Sequence, residues 1–227
     1  ADRVWTDEKS RTLYRERLAA MALGEVAESH PIDWEEQYWP QDVPLKDDMA
    51  DFADLGAFDG DTIAMLLEKG VKLRRIWGFE PDLENYRKLV GRVLELRRRF
   101  PVDFTLVPLA VGNENGSVSF SSCGNVSSCI GGGKDVVTVC RLDDMLHCGF
   151  AGYIKMDIEG AEWDALCGMR RLIEAGNSAL AVCIYHKPVD IFQIPLLLKS
   201  WNCRANLYLR NHCANYFDSV CYMLPAI

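Results

Sequence analysis

The sequence predicts an α/β fold, with a mostly parallel β-sheet that carries helices on both faces. From about residue 50 onward, short apolar segments alternate with longer segments of helical periodicity. Such alternation is typical of a parallel sheet joined by right-handed crossovers. One segment, 178–185, is almost continuously apolar, as expected for a strand that is covered on both faces. The chain has 227 residues, 49% of them hydrophobic, which is enough to bury a full core without disulfides or metals.

The pattern divides the chain into an N-terminal appendage, residues 1–49, and a ligand-binding domain, residues 50–227. In the appendage, residues 6–23 are predicted to form an amphipathic helix that Thr6 caps, and two acidic residues follow Thr6 at the positive end. Residues 30–49 are rich in Pro, Asp, Trp and Tyr, so we expect an ordered loop that leads into the main domain.

The elements of the main domain are predicted in a regular order. Strands are expected at 51–55, 73–79, 104–111, 118–120, 136–140, 153–158, 178–185, and near 205–210 and 217–224. Helices are expected at 62–68, 82–98, 161–174 and 189–201. In open sheets of this kind, ligands bind beyond the carboxyl ends of the strands, so those ends are where we look for function.

Composition argues against several functions. The chain carries 25 basic and 33 acidic side chains, and its first 61 residues hold 16 acidic and 6 basic ones. Nucleic-acid binding needs many phosphate contacts, so it is not expected of an acidic chain whose basic run, 97–99, is interpreted as a solvated helix face. No apolar stretch approaches the roughly 18 residues of a membrane span, and no signal peptide is recognisable. We therefore expect a cytoplasmic protein.

The nine cysteines include no C-x-x-C pair, which argues against a zinc knuckle or a thioredoxin-like motif. Cys140 and Cys183 lie inside apolar, strand-like segments. The cysteines are therefore predicted to be buried free thiols of a protein that works in a reducing compartment.

A glycine turn follows the first strand of the main domain. It reads D-x-G-x-x-x-G from Asp54 to Gly60 and leads into a helix at Asp61 and Thr62. Gly56 permits a tight turn and close approach of the backbone to a ligand, and Gly60 opens the helix. An acidic first position suits a cationic amine better than a pyrophosphate, because opposite charges attract strongly in a partly desolvated cleft. S-adenosylmethionine carries such an amine and a sulfonium; a purely structural turn is the alternative.

A carboxylate ends the second strand. Glu80 lies 24 positions after Gly56, where a carboxylate can accept hydrogen bonds from both ribose hydroxyls of an adenosine. The alternative is that Glu80 caps the next helix. Asp82 is suited to that capping role, which leaves Glu80 for a ligand.

A third motif places charged residues on a strand expected to be buried. Period-two alternation puts Lys155 and Asp157 on one face, and a buried lysine is expected to pair with an Asp or a Glu. Asp157 and Glu159 then emerge at the carboxyl edge of the sheet, where they are candidate catalytic groups. A structural ion pair at a capped strand end is the alternative.

A histidine follows the next strand. If the two strands are neighbours, His186 lies beside Asp157, and an imidazole near carboxylates is a natural proton acceptor at neutral pH. A structural role for His186 is the alternative, and His212 is a weaker candidate of the same kind. Several of these groups can in principle hold a divalent cation: Asp143, Asp144, Asp157, Glu159 and His186. No spacing among them is diagnostic, so no metal is assigned.

Taken together and in this order, these segments resemble the FkbM-type methyltransferases. The resemblance covers residues 50–225 and rests on the runs 54–62, 79–82, 141–144, 154–162 and 184–188. It implies a class I S-adenosylmethionine-dependent methyltransferase fold, which is Rossmann-like and has a seven-stranded sheet whose last strand is antiparallel. The loop 121–134 departs from the family pattern, with cysteines and three consecutive glycines where serines are expected.

The resemblance also implies roles for individual residues. Those that would bind the cofactor are Asp54, Gly56, Ala57, Phe58, Gly60, Asp61, Thr62, Glu80, Pro81, Ala110 and Asp157. Asp54, Gly56 and Gly60 would line its methionine end, Glu80 its ribose, and residues 109–111 its adenine. Asp157 and Glu159 would face the transferred methyl group or the acceptor.

The predicted function is methyl transfer from S-adenosylmethionine to a hydroxyl oxygen on a sugar or another small molecule. His186 or Asp157 would act as the base, and Glu159 would orient the acceptor. A nicotinamide-dependent oxidoreductase is one alternative, although Asp54 and the lack of a G-x-G-x-x-G motif disfavour it. A non-catalytic nucleoside-binding module is another, because fold alone does not determine function. The oligomeric state is not predicted.

Overall fold

The computed structural model describes residues 2–24, 32–46, 49–121, 129–130, 133, 135–146, 150, 152–214 and 216–226. The strands in these residues are β1 (Asp51–Leu55), β2 (Arg75–Phe79), β3 (Asp103–Val107), β4 (Ala110–Val111), β5 (Gly116–Ser121), β6 (Cys129–Ile130), β7 (Asp135–Cys140), β8 (Gly152–Met156), β9 (Ala179–Cys183), β10 (Asn206–Asn211) and β11 (Ser219–Leu224). The α-helices are α1 (Glu8–Leu23), α2 (Asp61–Glu68), α3 (Leu83–Arg99), α4 (Leu142–Met145), α5 (Glu162–Gly168), α6 (Arg170–Ala175) and α7 (Asp190–Trp201).

Seven of the described strands form the larger sheet, in the order β10-β11-β9-β8-β1-β2-β3. Within it, β1 pairs in parallel with β2 and β8, and β2 pairs in parallel with β3. The last strand, β11, runs antiparallel to both β9 and β10. The predicted α/β fold class is thus confirmed, together with the antiparallel last strand that the family resemblance implied. Among the helices in the described part of the chain, none combines the length and apolar character needed to cross a membrane.

A second sheet was not predicted. It has the order β4-β7-β5-β6, and its strands include the segments expected near 118–120 and 136–140. The single strand expected at 104–111 is in fact two strands, because β3 pairs with β2 whereas β4 pairs with β7. Most of the loop 121–134, in which the sequence departs from the family pattern, lies outside the described residues.

The chain folds as two compact units, one of residues 1–45 and 179–227 and the other of residues 46–178. The boundary predicted from the sequence, between an appendage that ends at residue 49 and a ligand-binding domain that begins at residue 50, stays a prediction. In the unit of residues 46–178, β1 and β8 are buried along their whole length. Parallel strands that are covered on both faces are expected to be apolar throughout, which makes the charged residues on these two strands conspicuous.

Two helices of this unit, α3 and α6, begin where a carboxylate accepts hydrogen bonds from amides of the first turn. Asp82 accepts hydrogen bonds from the backbone of Glu84 and Asn85, so it caps α3 as predicted. The helix predicted at 161–174 divides into α5 and α6 at Met169. The carboxylate of Asp143 accepts hydrogen bonds from the amides of Arg171 and Leu172, which supports a separate start for α6. The basic run at the end of α3 is exposed, as expected for a solvated face.

In the unit of residues 1–45 and 179–227, the N-terminal helix lies against β10. Its cap is Asp7 and not Thr6, because the Asp7 carboxylate accepts the Ser10 amide 2.9 Å away. Thr6 instead pairs with Leu207 of β10 through its own amide and its hydroxyl oxygen. The structure therefore uses the predicted capping residue for sheet pairing.

The cysteines whose side chains the structure describes form no disulfide with one another. Cys140, Cys183 and Cys221 are buried, in agreement with the predicted burial of the thiols. The other described cysteines depart from that prediction, since Cys167 and Cys213 are half-buried and Cys203 is exposed in the turn between α7 and β10.

Candidate functional site

The glycine turn after β1 is hydrogen-bonded to the end of β2. The amides of Gly56 and Ala57 both donate to the carbonyl oxygen of Phe79, at 3.0 and 2.9 Å. The amide of Gly60 donates to the Ala57 carbonyl at 2.7 Å, and α2 begins at the next residue. The turn is thus held by backbone hydrogen bonds before any ligand is considered.

Both glycines of the motif are required, but their close neighbours belong to the protein. Gly56 has a φ of +79°, and a Cβ there would lie 1.9 Å from the carbonyl oxygen of Asp157. Gly60 has a φ of +85°, and its Cβ would lie 2.9 Å from a methyl group of Leu89 on α3. The close approach that the sequence predicted toward a ligand is, at Gly56, an approach to the backbone that follows β8.

Phe58 occupies a conformation that a bulky residue seldom adopts. Its φ is +47°, in the left-handed region, and its amide donates to Oε2 of Glu80 at 2.9 Å. Backbone strain of this kind persists only where the surroundings enforce it, and it concentrates at ligand-binding and active sites. The Glu80 carboxylate is therefore part of what holds the turn in shape.

Glu80 is nearly buried, with 6% of its surface exposed. Oε2 accepts the Phe58 amide, and Oε1 accepts the Asp82 amide at 2.9 Å. Burial raises the pKa of this carboxyl to about 7. The sequence predicted that Glu80 is left for a ligand, whereas both oxygens already accept one hydrogen bond. Each oxygen nevertheless has a second lone pair, so the carboxylate can accept two more donors.

A buried ion pair joins β1 to β8. Nζ of Lys155 lies 3.0 Å from Oδ1 of Asp54, and the two side chains are 5% and 0% exposed. The same ammonium donates to the carbonyl oxygen of Gly56 at 2.7 Å. Burial raises the pKa of Asp54 to about 6, against the attraction of Lys155. Burial also opposes the charge on Lys155, but neighbouring carboxylates, Asp54 foremost, raise its pKa above the ordinary value. The predicted pairing of Lys155 with an acidic residue is thereby confirmed.

The loop after β8 carries the two acidic candidates for catalysis. Asp157 and Glu159 are both half-buried, and the amide of Asp157 donates to the carbonyl oxygen of Leu55 at 3.1 Å. Glu159 has a φ of +55°, a second strained position. The fully buried Glu162 holds this loop, because its Oε1 accepts the amides of Ile158 and Gly160 at 3.1 and 3.3 Å.

Two of these residues were not assigned to the site from the sequence. Lys155 was expected only to find some acidic partner, and Glu162 was not singled out. A signal for Glu162 existed, since it is an acidic residue at the start of a predicted helix, where carboxylates accept backbone amides.

The remaining predicted cofactor residues lie close to the turn in sequence or in β4. The Thr62 amide donates to Oδ1 of Asp61 at 2.7 Å, and Thr62 is buried at the start of α2. Pro81 is half-buried after β2, and Ala110 is buried in β4. Direct contacts thus link the turn, Glu80, Lys155 and Asp157, and the binding roles predicted for these residues stay predictions, as do those of Ala110 and Pro81.

The histidine candidates lie in the unit of residues 1–45 and 179–227. His186 is half-buried three residues beyond β9, and its ring centre is 4.1 Å from that of Tyr185. Its predicted position beside Asp157 stays a prediction. His212 is buried, with Nε2 2.9 Å from the Tyr222 hydroxyl and Nδ1 3.2 Å from the Asp33 carbonyl. Burial lowers the pKa of His212 to about 4, so this histidine is a neutral structural residue.

Two of the acidic residues considered for a cation are occupied by structural contacts. Asp143 is buried and caps α6, with one oxygen also 3.3 Å from the Arg171 guanidinium. Asp144 lies 2.9 Å from the same guanidinium and accepts a hydrogen bond from Asn115. Both carboxylates therefore stabilise the packing of α4 and α6.

Comparison with known proteins identifies the family. A sequence profile described as the methyltransferase FkbM domain matches residues 54–202. The chain belongs to this family. The matched FkbM region begins at Asp54 and includes every predicted catalytic residue, so the resemblance read from the sequence is confirmed. A search of curated protein sequences gives no match.

Solved structures of other methyltransferases match this chain as well. The FkbM methyltransferase from Methylobacillus flagellatus KT superimposes with a TM-score of 0.82 at 24% identity. That alignment covers 98% of this chain and 56% of the other, so this chain spans little more than half of the bacterial protein's length. A putative caffeoyl-CoA O-methyltransferase from Staphylococcus aureus matches with a TM-score of 0.49 and 8% identity, over 97% of this chain and 100% of that one. A putative rRNA methylase from Clostridium thermocellum matches with a TM-score of 0.48 and 10% identity, over 78% of this chain and 87% of that one.

Proposed function

We propose that this FkbM domain binds S-adenosylmethionine at the turn after β1 and catalyses methyl transfer to a hydroxyl oxygen of a sugar or another small molecule. The observation that carries the proposal is the placement of Glu80. Its buried carboxylate accepts amides from both sides, one from the cofactor turn and one from the start of α3, so it is held rigidly at the carboxyl end of β2. Membership of the FkbM methyltransferase family supports the reaction class.

The residues of the turn fit such a cofactor. The two remaining lone pairs of Glu80 are matched in number to the two hydroxyls of a ribose. The carboxylates of Asp157 and Asp61 lie near Lys155, and their charges help to raise its pKa. Because Lys155 is already paired with Asp54, these two carboxylates leave an excess of negative charge near the turn. That excess favours a ligand with a cationic amine and sulfonium. When bound, S-adenosylmethionine supplies a methyl group on a positively charged sulfur.

The chain must then hold the acceptor and take up its hydroxyl proton. Asp157 and His186 are the proposed bases, and Glu159 is the proposed orienting group. The loop that carries Asp157 and Glu159 is held by Glu162, so these carboxylates sit on a supported backbone. Alignment of a donor and an acceptor by rigid groups is the main contribution expected from the protein in a displacement reaction.

Binding is tested by calorimetry with S-adenosylhomocysteine, the product form of the cofactor. We expect the wild-type protein to bind it, and Glu80→Gln to bind about tenfold more weakly because hydrogen bonds to a charged acceptor are lost. The pKa of about 7 predicts pH dependence as well. Below pH 7 the free carboxyl is protonated, whereas hydroxyl donors favour its ionised form, so wild-type affinity should rise from pH 6 to pH 8 and then level off.

The matched control is Glu95→Gln, on the exposed face of α3. It should leave both the affinity and its pH dependence unchanged, whereas Glu80→Gln should lose the pH-dependent component. An absence of heat with S-adenosylhomocysteine in folded wild-type protein would refute the proposed function. A nicotinamide cofactor that raised the melting temperature in its place would favour the oxidoreductase alternative.

The proposed bases are tested by methyl transfer to a panel of sugars and small hydroxylated compounds, followed as a mass gain of about 14 daltons, one CH₂ per methyl transferred. His186→Ala or Asp157→Asn should lower kcat by about 100-fold or more if the altered group is the base. Asp164→Asn, on the exposed face of α5, is the control. Full turnover in both variants at unchanged cofactor affinity would show that neither group is the base. Cofactor binding without transfer to any acceptor would favour the non-catalytic nucleoside-binding module.

A further inference from the structure

The Lys155 ammonium connects three parts of the structure at one point. It lies 3.0 Å from the Asp54 carboxylate at the end of β1 and donates to the Gly56 carbonyl in the turn at 2.7 Å. It is itself part of β8, the strand that leads to Asp157. We propose that Lys155 is the positioning residue of the cofactor turn, and that Asp54 holds the Lys155 ammonium rather than contacting the cofactor's amine. This inference rests on the proposed function.

The surroundings of Asp54 argue against direct contact with a ligand. Its side chain is 0% exposed, so a bound molecule could not reach it without movement of the turn. Its charge is also compensated already, because the ammonium of Lys155, a side chain only 5% exposed, lies 3.0 Å away. A compensated carboxylate attracts a second cation far less than an isolated one. The acidic residue that looks like an amine acceptor in the sequence is therefore half of an internal ion pair.

The contacts around Gly56 indicate what the pair does. Gly56 packs against the Asp157 carbonyl so closely that no side chain fits, and the Asp157 amide donates to Leu55. The Lys155 ammonium adds a third link by binding the carbonyl oxygen of Gly56. One buried cation thus fixes the position of the turn relative to the strand end that carries a proposed catalytic residue.

Such anchoring matters because the turn adopts an unfavourable backbone. Phe58 has a positive φ, which is costly for a bulky residue, and its amide must stay directed at Glu80. A turn that relaxed in the free protein would have to be reordered when a ligand binds, and the cost would appear as lost affinity. Lys155 is expected to prevent this relaxation by holding the turn in its bound shape beforehand.

The test compares two ligands that differ only in the amino-acid portion, S-adenosylhomocysteine and 5′-methylthioadenosine, the second of which lacks the amine. Calorimetry is performed on wild type and on Asp54→Asn. If Asp54 serves to hold Lys155, the variant should lose affinity for both ligands, and 5′-methylthioadenosine, which has no amine, should bind about tenfold more weakly through one weakened charge-assisted contact. If Asp54 bound the amine, only S-adenosylhomocysteine would lose affinity, and the inference would be overturned.

A second variant guards against simple unfolding. In the double variant Asp54→Leu/Lys155→Met both buried charges leave together, and replacement of an ion pair by apolar groups of similar size often leaves stability unchanged. We expect a melting temperature close to that of the wild type and a loss of affinity for both ligands, 5′-methylthioadenosine included. The control is the double variant Asp103→Asn/Lys72→Met, which changes two exposed residues and should leave the affinity for both ligands unchanged. Wild-type affinity for both ligands in the buried double variant would overturn the positioning role while leaving the proposed function intact. Failure of the wild type to bind either ligand would instead refute the proposed function, and this inference with it.

Discussion

Gly56 and Gly70 separate two reasons why a glycine can be required. Both have a positive φ, +79° and +81°, which disfavours any residue with a side chain. A Cβ added at Gly70 would have nothing within 4 Å, whereas one added at Gly56 would fall 1.9 Å from the Asp157 carbonyl oxygen. A side chain at Gly56 would therefore meet both the strain of a left-handed conformation and a clash with the backbone, whereas one at Gly70 would meet the strain alone.

An alanine at each position should measure the two effects. Gly70→Ala is expected to cost about 1–2 kcal/mol in the free energy of unfolding, the ordinary penalty of a left-handed residue. Gly56→Ala should cost about 1–3 kcal/mol more, because the turn and the end of β8 must move apart. Urea unfolding gives both values. Equal losses would mean that the approach of Gly56 to Asp157 is not tight in solution.

Single residues also show which contacts of the site could be predicted from the sequence. The capping role of Asp82 was predictable because this residue follows a strand and precedes a helix, and such positions need acceptors for helix amides. The partner of Lys155 was not predictable, since the choice of Asp54 depends on β1 and β8 being neighbours. Glu80 was interpreted as uncommitted, because its hydrogen bond from Phe58 arises only when the turn folds back onto the end of β2.

At the scale of elements, α1 and β10 form a joint structure that the sequence did not predict. The outward backbone groups of β10 are satisfied by side chains and backbone near the start of the helix. Thr6 pairs with the amide and the carbonyl of Leu207, and the Ser10 hydroxyl accepts the Leu209 amide at 2.8 Å. The buried Arg210 guanidinium donates to the Leu209 carbonyl at 2.7 Å and lies 2.6 Å from Asp7. The segment at the start of the helix, together with Arg210, thus satisfies the outward backbone groups of Leu207 and Leu209 on an edge strand.

Ser10 gives a direct measure of this arrangement. Ser10→Ala removes the acceptor of the Leu209 amide within a buried contact, so we expect a loss of about 1–3 kcal/mol in unfolding free energy. Thr12→Ala, on the exposed face of the same helix, should change stability by less than about 0.5 kcal/mol. Thermal or chemical unfolding provides the comparison. A Ser10→Ala variant as stable as Thr12→Ala would show that the edge is satisfied in another way.

Elements were predicted well where local signals coincide and poorly where a distant residue decides. The first strand was predicted with the bounds that it has, because an apolar run meets a glycine turn at Gly56. The division of the helix at Met169 was missed, since the carboxylate that supports the start of α6 belongs to Asp143, in another helix. The division between β3 and β4 was missed for a similar reason, because β4 finds its partner in β7.

For the molecule as a whole, alternating patterns were sufficient for the α/β class but not for the order of strands. Periodicity shows that a segment is a strand, and it carries no information about which strand lies next to it. The antiparallel last strand was implied only by the family resemblance, through the five matched runs of sequence. Neither the periodicity nor the family resemblance predicted the smaller sheet. Part of this sheet borders the loop in which the chain departs from the family pattern.

In the larger sheet β10 is an edge strand, and the N-terminal segment protects this edge from pairing with other chains. The composition of the segment does not suggest this role. Without Thr6 and Ser10, the main-chain donors and acceptors of β10 would be available to recruit an extended segment from another molecule. We therefore expect that shortening the chain at this end causes self-association and precipitation during preparation before it causes a measurable change in ligand affinity.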